Sequence, residues 1–265
     1  MFPILYATPW FNVYAYGTLM ALGYALGTFV ILWETRREGL DVESVFDMLL
    51  LQMLVGIIGA RLLFMLEFDG LNNPRFSFWN FESGGLSFYG AVVSSLLFDL
   101  LFLKFKGMPF WRVMDCVGMG LPLGAALARM GCFLNGCCAG TSCAWPWGVK
   151  FPGANPEFVH PTQLYESLAC FLIFLLLRRY VAKRRWYGQI FLGYIGLYAA
   201  FRFTVEFWRA DNPHQVMGLT MAHLISLGAL VFVAVVWRLL GRDISLRVPP
   251  RPSPPMGLPE IQDPS

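Results

Sequence analysis

Seven times between residues 13 and 238 the chain settles into an apolar run long enough to cross a lipid bilayer. One helical crossing needs about 20 mostly apolar residues. Windows of that kind fall at roughly 13–33, 45–68, 87–104, 113–131, 162–180, 188–207 and 218–238. In hydrocarbon a backbone must satisfy its own hydrogen bonds, which restricts such runs to helices. Charged residues are only 14% of the 265, against about 25% in soluble domains. The expected fold is therefore an all-α polytopic membrane protein of about seven transmembrane helices. Short loops leave little room for a separate soluble domain, so residues 1–247 read as one membrane domain. Residues 248–265 hold 7 of the 17 prolines and read as a disordered tail.

Orientation follows from lysine and arginine, which favour cytoplasmic loops. Fourteen of the 20 basic residues fall after spans 1, 3, 5 and 7, from Arg36 and Arg37 to the tail that holds Arg251. The opposite loops hold Arg75, Lys150 and Arg209. The N-terminus is expected outside and the C-terminus in the cytoplasm. A cleavable signal peptide is not expected, because the first basic residue, Arg36, follows span 1 instead of preceding it. The net charge of +3 reflects this topogenic bias and gives no reason to expect nucleic-acid binding. Trp10, Trp79, Phe81, Trp145, Trp147 and Trp208 gather at the outer boundary and suit the interfacial aromatic belt.

Ionisable residues inside spans are costly and usually face a bundle interior or a wet cavity. Arg129 closes span 4, and Arg202, Glu206 and Arg209 are spaced i, i+4, i+7 at the outer end of span 6, on one expected helical face. Arg61 lies toward the same side of span 2. More arginine than glutamate on one leaflet calls for an anion. The planar guanidinium fork suits phosphate, and phospholipid head groups are the abundant anions there. Glycines beside Arg129 would let backbone approach the head group. A second polar group, "HPTQLYE", places His160 just before span 5, with Gln163, Tyr165 and Glu166 in its first turns. The bland readings are a helix-end hydrogen bond for His160, a dipole partner for Glu166, and an intrahelical pair for Arg202 and Glu206.

"ARMGCFLNGCCAGTSC", residues 128–143, places four cysteines around the same arginine. Three readings stand for Cys132, Cys137, Cys138 and Cys143. They are one or two disulfides on the outer, oxidising side, free thiols packed under the loop, or a zinc or redox centre. The missing C-x-x-C spacing counts against the last, and no metal or cofactor is expected. Cys116 and Cys170 lie within spans and read as apolar filling.

Together "YAYG", "GARLLF", "GGLSFYG", "RMGCFLNGCCAG", "HPTQLYE" and "FRFTVEFWR" resemble, in order, the prolipoprotein diacylglyceryl transferase family of the bacterial inner membrane. The resemblance implies transfer of a diacylglyceryl group from phosphatidylglycerol to the lipobox cysteine of a preprolipoprotein signal peptide. A thioether forms and glycerol phosphate leaves. It implies that Arg129, Asn135, Gly136 and Gly140 match the signature that grips phosphatidylglycerol. Arg202, Glu206 and Arg209 match a late arginine–glutamate–arginine set, with Arg202 at the transition state, and Tyr16 matches a tyrosine of the first span. Arg61, Gln163, Tyr165 and Glu166 complete the expected substrate-binding set. The family usually has histidine where this chain has Tyr89, asparagine at Cys132 and glutamate at Cys137. The expected catalytic set is therefore Arg129 and Arg202, with Tyr89 or His160 relaying the thiol proton. Alternatives are a membrane thiol–disulfide oxidoreductase using the outer cysteines, a family relative with another substrate, and an arginine-lined anion pathway. The last would call for polar residues through the full depth of several spans.

Overall fold

The computed structural model describes residues 4–7, 12–67, 85, 87–151, 157–210, 214–216 and 218–248. Trp10, Arg75, Trp79, Phe81 and the proline-rich stretch from 249 onward lie outside them. Seven helices account for the apolar windows. They are α1 (Ala15–Arg37), α2 (Val42–Glu67), α3 (Phe88–Phe105), α4 (Phe110–Asn135), α5 (Thr162–Tyr180), α6 (Gln189–Val205) and α7 (Met221–Leu240). Five of them, α1, α2, α4, α7 and α6 with its following turn, are long and apolar enough to cross a membrane. Helix α3 has 18 residues and α5 has 19, the latter carrying Glu166, Arg178 and Arg179. Large apolar side chains such as Phe29, Leu62, Val93, Leu168 and Val231 are exposed along the helices. Helices apolar on their outer faces as well as inside suit a lipid surround.

Helix α4 is the axis of the bundle, packing on α1, α5 and α6, while α2 pairs with α3 and α6 with α7. The α1–α4 contact is made by glycines four residues apart on each helix, Gly23 and Gly27 against Gly120 and Gly124. A Cβ on Gly23 would stand 2.7 Å from the Gly124 carbonyl oxygen, so only glycine lets these backbones meet. Small residues four apart are the usual means of close helix approach in membranes.

The basic ends of α1, α3, α5 and α7 gather at one end of the bundle. There Asp115 of α4 caps the start of α6, accepting from the backbone N–H of Gly188 at 2.9 Å, Ile190 at 3.0 Å and Phe191 at 3.1 Å. At the other end α4 stops at Gly136, whose φ of +80° is open to glycine but costly for other residues. The Gly136 N–H returns to the carbonyls of Cys132 and Phe133 at 3.0 and 3.1 Å. Helix α7 opens at this end with a capping box in which Thr220 and His223 bond each other's backbone N–H.

Candidate active site

Beyond α4 the chain makes a backbone weave that joins three distant segments. Gly140 N–H donates to the His160 carbonyl at 2.9 Å, Thr141 N–H to that of Trp208 at 2.8 Å, and His160 N–H to that of Thr141 at 3.0 Å. Gly140 also bridges Arg209. The fit is tight, because a Cβ on Gly140 would lie 2.5 Å from the Trp208 carbonyl oxygen and 2.7 Å from the His160 Cβ. The start of α5 holds the same loop with side chains. Thr162 Oγ1 donates to the Cys138 carbonyl at 2.8 Å and Gln163 Nε2 to that of Cys137 at 2.6 Å.

This weave brings the arginines together. Glu166 is fully buried; its Oε2 lies 2.6 Å from Arg129 Nε, and its Oε1 accepts from Arg209 Nη1 at 2.6 Å. Glu206, also fully buried, takes Arg202 Nη1 on Oε2, with Arg209 Nε at 3.8 Å from the same oxygen. Thr220 Oγ1 donates to the other oxygen of Glu206 at 2.6 Å. Three guanidiniums thus share two carboxylates, and the five side chains sum to one positive charge. The carboxylates are sealed, whereas the Arg129 and Arg202 side chains keep 26% and 16% of their surface exposed. The open edge of the cluster is therefore cationic.

One expectation is corrected. Arg202, Glu206 and Arg209 do not share a continuous helical face, because α6 ends at Val205, residues 206–208 form a 3-10 turn and Arg209 is extended. The tighter turn swings Arg209 away from its own helix and across to Glu166 of α5. The disulfide reading is also not met: all six cysteines are free thiols.

The remaining expected residues fall around this centre at different distances. Tyr89, at the first turn of α3, is exposed on one side and within electrostatic reach of Arg202 and Glu206. Tyr16 packs its backbone against Gly131, and its hydroxyl is within electrostatic reach of Arg129, Cys132, Cys137 and Cys138. His160 is buried, with Nδ1 3.2 Å from the Tyr165 hydroxyl and its ring beside Trp208. Asn135 is exposed at the last position of α4. Arg61 is fully buried on α2, donating to the Gly85 carbonyl at 2.9 Å and lying over Phe64.

Sequence reasoning missed two members. The buried Tyr198 of α6 bonds to Arg129, and Thr220 orients Glu206. Neither belongs to a motif, and only the helix packing brings them in.

Among the cysteines, the sulfurs of Cys132, Cys137 and Cys138 lie within 4.8 Å of one another. A hydrogen bond from Cys132 holds the Cys138 thiol below the ordinary range against the desolvation that raises it, helped by the Arg209 and Arg129 guanidiniums. Cys143 stands outside this group, its sulfur 3.9 Å from the Trp145 carbonyl oxygen.

The chain is similar to known proteins over nearly its full length. The sequence model of the family described as prolipoprotein diacylglyceryl transferase matches residues 3–239. A phosphatidylglycerol–prolipoprotein diacylglyceryl transferase of Clostridioides difficile (strain 630) is 35% identical over 214 residues, covering 80% of this chain and 84% of the relative. A protein of the same name from Wolinella succinogenes is 36% identical over 201 residues, 70% of this chain and 73% of the relative. The one from Finegoldia magna is 33% identical over 219 residues, with coverages of 82% and 86%. These similarities give the oxidoreductase alternative no support. The chain belongs to the prolipoprotein diacylglyceryl transferase family.

Proposed function

We propose that this protein transfers the diacylglyceryl group of phosphatidylglycerol to the lipobox cysteine of a preprolipoprotein, forming a thioether and releasing glycerol phosphate. The observation that carries the reading is the arginine cluster, with its carboxylates sealed and the edges of Arg129 and Arg202 open. A phosphodiester presented to that edge meets guanidiniums already held in place. Donors fixed before reaction do not have to reorganise as charge develops. Arg129 grips the phosphate, and Arg202 faces the charge that grows on the leaving oxygen. Asn135, Gly136 and Tyr16 border the head group, with Gly140, Gln163 and Tyr165 holding the surrounding wall. Tyr89 or His160 receives the acceptor's thiol proton.

In this reading the basic end of the bundle lies in the cytoplasm and the arginine cluster in the outer leaflet of the bacterial inner membrane. The lipid enters sideways from the bilayer, the signal peptide supplies the thiol, and residues 1–247 form the membrane domain. Purified protein incubated with phosphatidylglycerol vesicles and a lipobox peptide tests this directly. The peptide should gain the mass of one diacylglyceryl group, and a peptide with serine for cysteine should not. No mass gain from the cysteine peptide would refute the proposal.

A further inference from the structure

The three gathered thiols have no part in the arginine chemistry described so far. Cys132 is buried in the last turn of α4, and Cys137 and Cys138 are half-buried in the loop that follows. Their sulfurs all lie within 4.8 Å of each other. Sulfurs bonded to one zinc ion at about 2.3 Å are about 3.8 Å apart. The group is therefore within about 1 Å of a metal-binding arrangement. Consecutive residues ordinarily direct their side chains apart. Here Cys138 has φ +62°, a left-handed conformation costly for any L residue, and both sulfurs reach that of Cys132.

Charge favours a divalent ion. Three thiolates with zinc carry one negative charge, and the adjoining cluster of three arginines and two glutamates carries one positive charge. Arg129 and Arg209 act on Cys138 directly. A monovalent ion in the same place would leave one negative charge unbalanced. A disulfide would consume two of the sulfurs and leave the third without a role.

We propose that Cys132, Cys137 and Cys138 hold a zinc ion whose fourth position receives the acceptor cysteine of the lipobox, an inference that rests on the transferase reading above. Among the described residues no fourth His, Cys, Asp or Glu joins the three. Three protein ligands with one open position is the arrangement of zinc sites that act on substrates. Cys137 and Cys138 are only half-buried, and Tyr16 stands within electrostatic reach of all three cysteines.

The site supplies what a thiol acceptor needs. An unperturbed cysteine, with pKa about 8.5, is mostly protonated at neutral pH, and an unperturbed tyrosine near 10 is a poor base for it. Coordination to zinc deprotonates a thiol outright. The acceptor's proton leaves through the Tyr89 or His160 relay, ends on water, and the sulfur binds as thiolate. That sulfur's electron pair then forms the bond to the glyceryl carbon while the carbon–oxygen bond to phosphate breaks. The breaking pair leaves on oxygen, so a thiolate and a phosphodiester monoanion become a neutral thioether and a glycerol phosphate dianion. Nothing is oxidised or reduced. The thioether, a weak ligand, then leaves the ion.

The test uses the full chain purified in detergent under reducing conditions. Metal content is measured by mass spectrometry, and cobalt(II) is introduced as a spectroscopic substitute whose thiolate charge-transfer band reports the sulfurs bound. One metal per chain is expected, retained in Cys143→Ser and lost in Cys137→Ser. A cysteine lipobox peptide should raise the band by about a third as three sulfurs become four, and its serine counterpart should leave it unchanged. The proposal is overturned by wild-type protein with six titratable thiols and no cobalt band, by a disulfide among the three cysteines, or by a band indifferent to the cysteine peptide. Because the wild-type spectrum carries the result, misfolding of the Cys137→Ser protein would not mask it. A responsive band without diacylglyceryl transfer would uphold the metal site and sink the transferase reading.

Discussion

Glu166 accepts from Arg209 at 2.6 Å, tying the first turns of α5 to a segment 43 residues later that has already left α6. With Arg129 on its other oxygen, this one carboxylate fixes two arginines of the proposed phosphate grip. Breaking a buried pair by removing one partner costs about 3–5 kcal/mol, because the remaining charge stays buried. Glu166→Gln keeps the shape and removes the charge from between two guanidiniums. Thermal unfolding in detergent should show a loss of about that size, and transfer should fall with it. A variant as stable as the parent would mean that Glu166 is not the hub.

Arg129 and Arg202 should differ in what their replacement costs. Removing one preorganised donor from a developing oxyanion typically lowers kcat by about 10²–10³. Arg202→Ala is expected to lose kcat on that scale with KM little changed. Arg129→Ala should raise KM for phosphatidylglycerol as well, since it grips the ground-state phosphate. Arg129→Lys keeps the charge without the planar fork and should recover only part of the loss. Steady-state kinetics with mixed-lipid vesicles separates the two, and wild-type rates from both alanine variants would end the mechanism.

The spans were readable because bilayer thickness fixes helix length whatever the neighbours. The window at 113–131 finds α4, although the helix runs on to Asn135. The end of α6 was not readable in the same way. The i, i+4, i+7 spacing of Arg202, Glu206 and Arg209 suits a straight helix, and only tertiary bonds reveal the 3-10 turn. Thr141 N–H takes the Trp208 carbonyl, Gly140 bridges Arg209, and Glu166 waits on α5. Glu166, expected in the substrate-binding set or more blandly as a dipole partner, could not be read as the arginines' shared carboxylate because its two arginines come from other segments. The glycine pairs that join α1 to α4 were in plain sight at a spacing of four, but spacing alone does not say which helices meet.

Gly140 should tolerate no side chain. Its Cβ would press on the Trp208 carbonyl and on His160, two sides of the weave that delivers Arg209 to Glu166. Overpacking of this kind costs about 1–3 kcal/mol, and here it would also shift the proposed site. Gly140→Ala is expected to lower both melting temperature and transfer rate. Gly228→Ala on α7, where a Cβ would meet nothing within 4 Å, should lower neither. Equal behaviour of the two would remove the weave from the account.

Asp115 sits at the opposite end of the bundle from the arginines, yet its loss should reach them. It is almost fully buried and accepts three backbone N–H groups at the start of α6, with Arg184 Nη1 3.6 Å away. Buried donors left without acceptors cost about 1–3 kcal/mol each, so Asp115→Ala, which strands three, should destabilise the protein by at least about 3 kcal/mol. Asp115→Asn, which keeps one acceptor oxygen, should lose less. Because α6 carries Arg202 and leads directly to Glu206 and Arg209, a loosened start lets the helix slide against α4. The expected kinetic mark is a fall in kcat for Asp115→Ala at temperatures where it is still folded, with Asp115→Asn between it and the parent. If the alanine variant melts early but turns over normally below its transition, α6 is held in place by its packing on α4 and α7, and the cap serves stability alone.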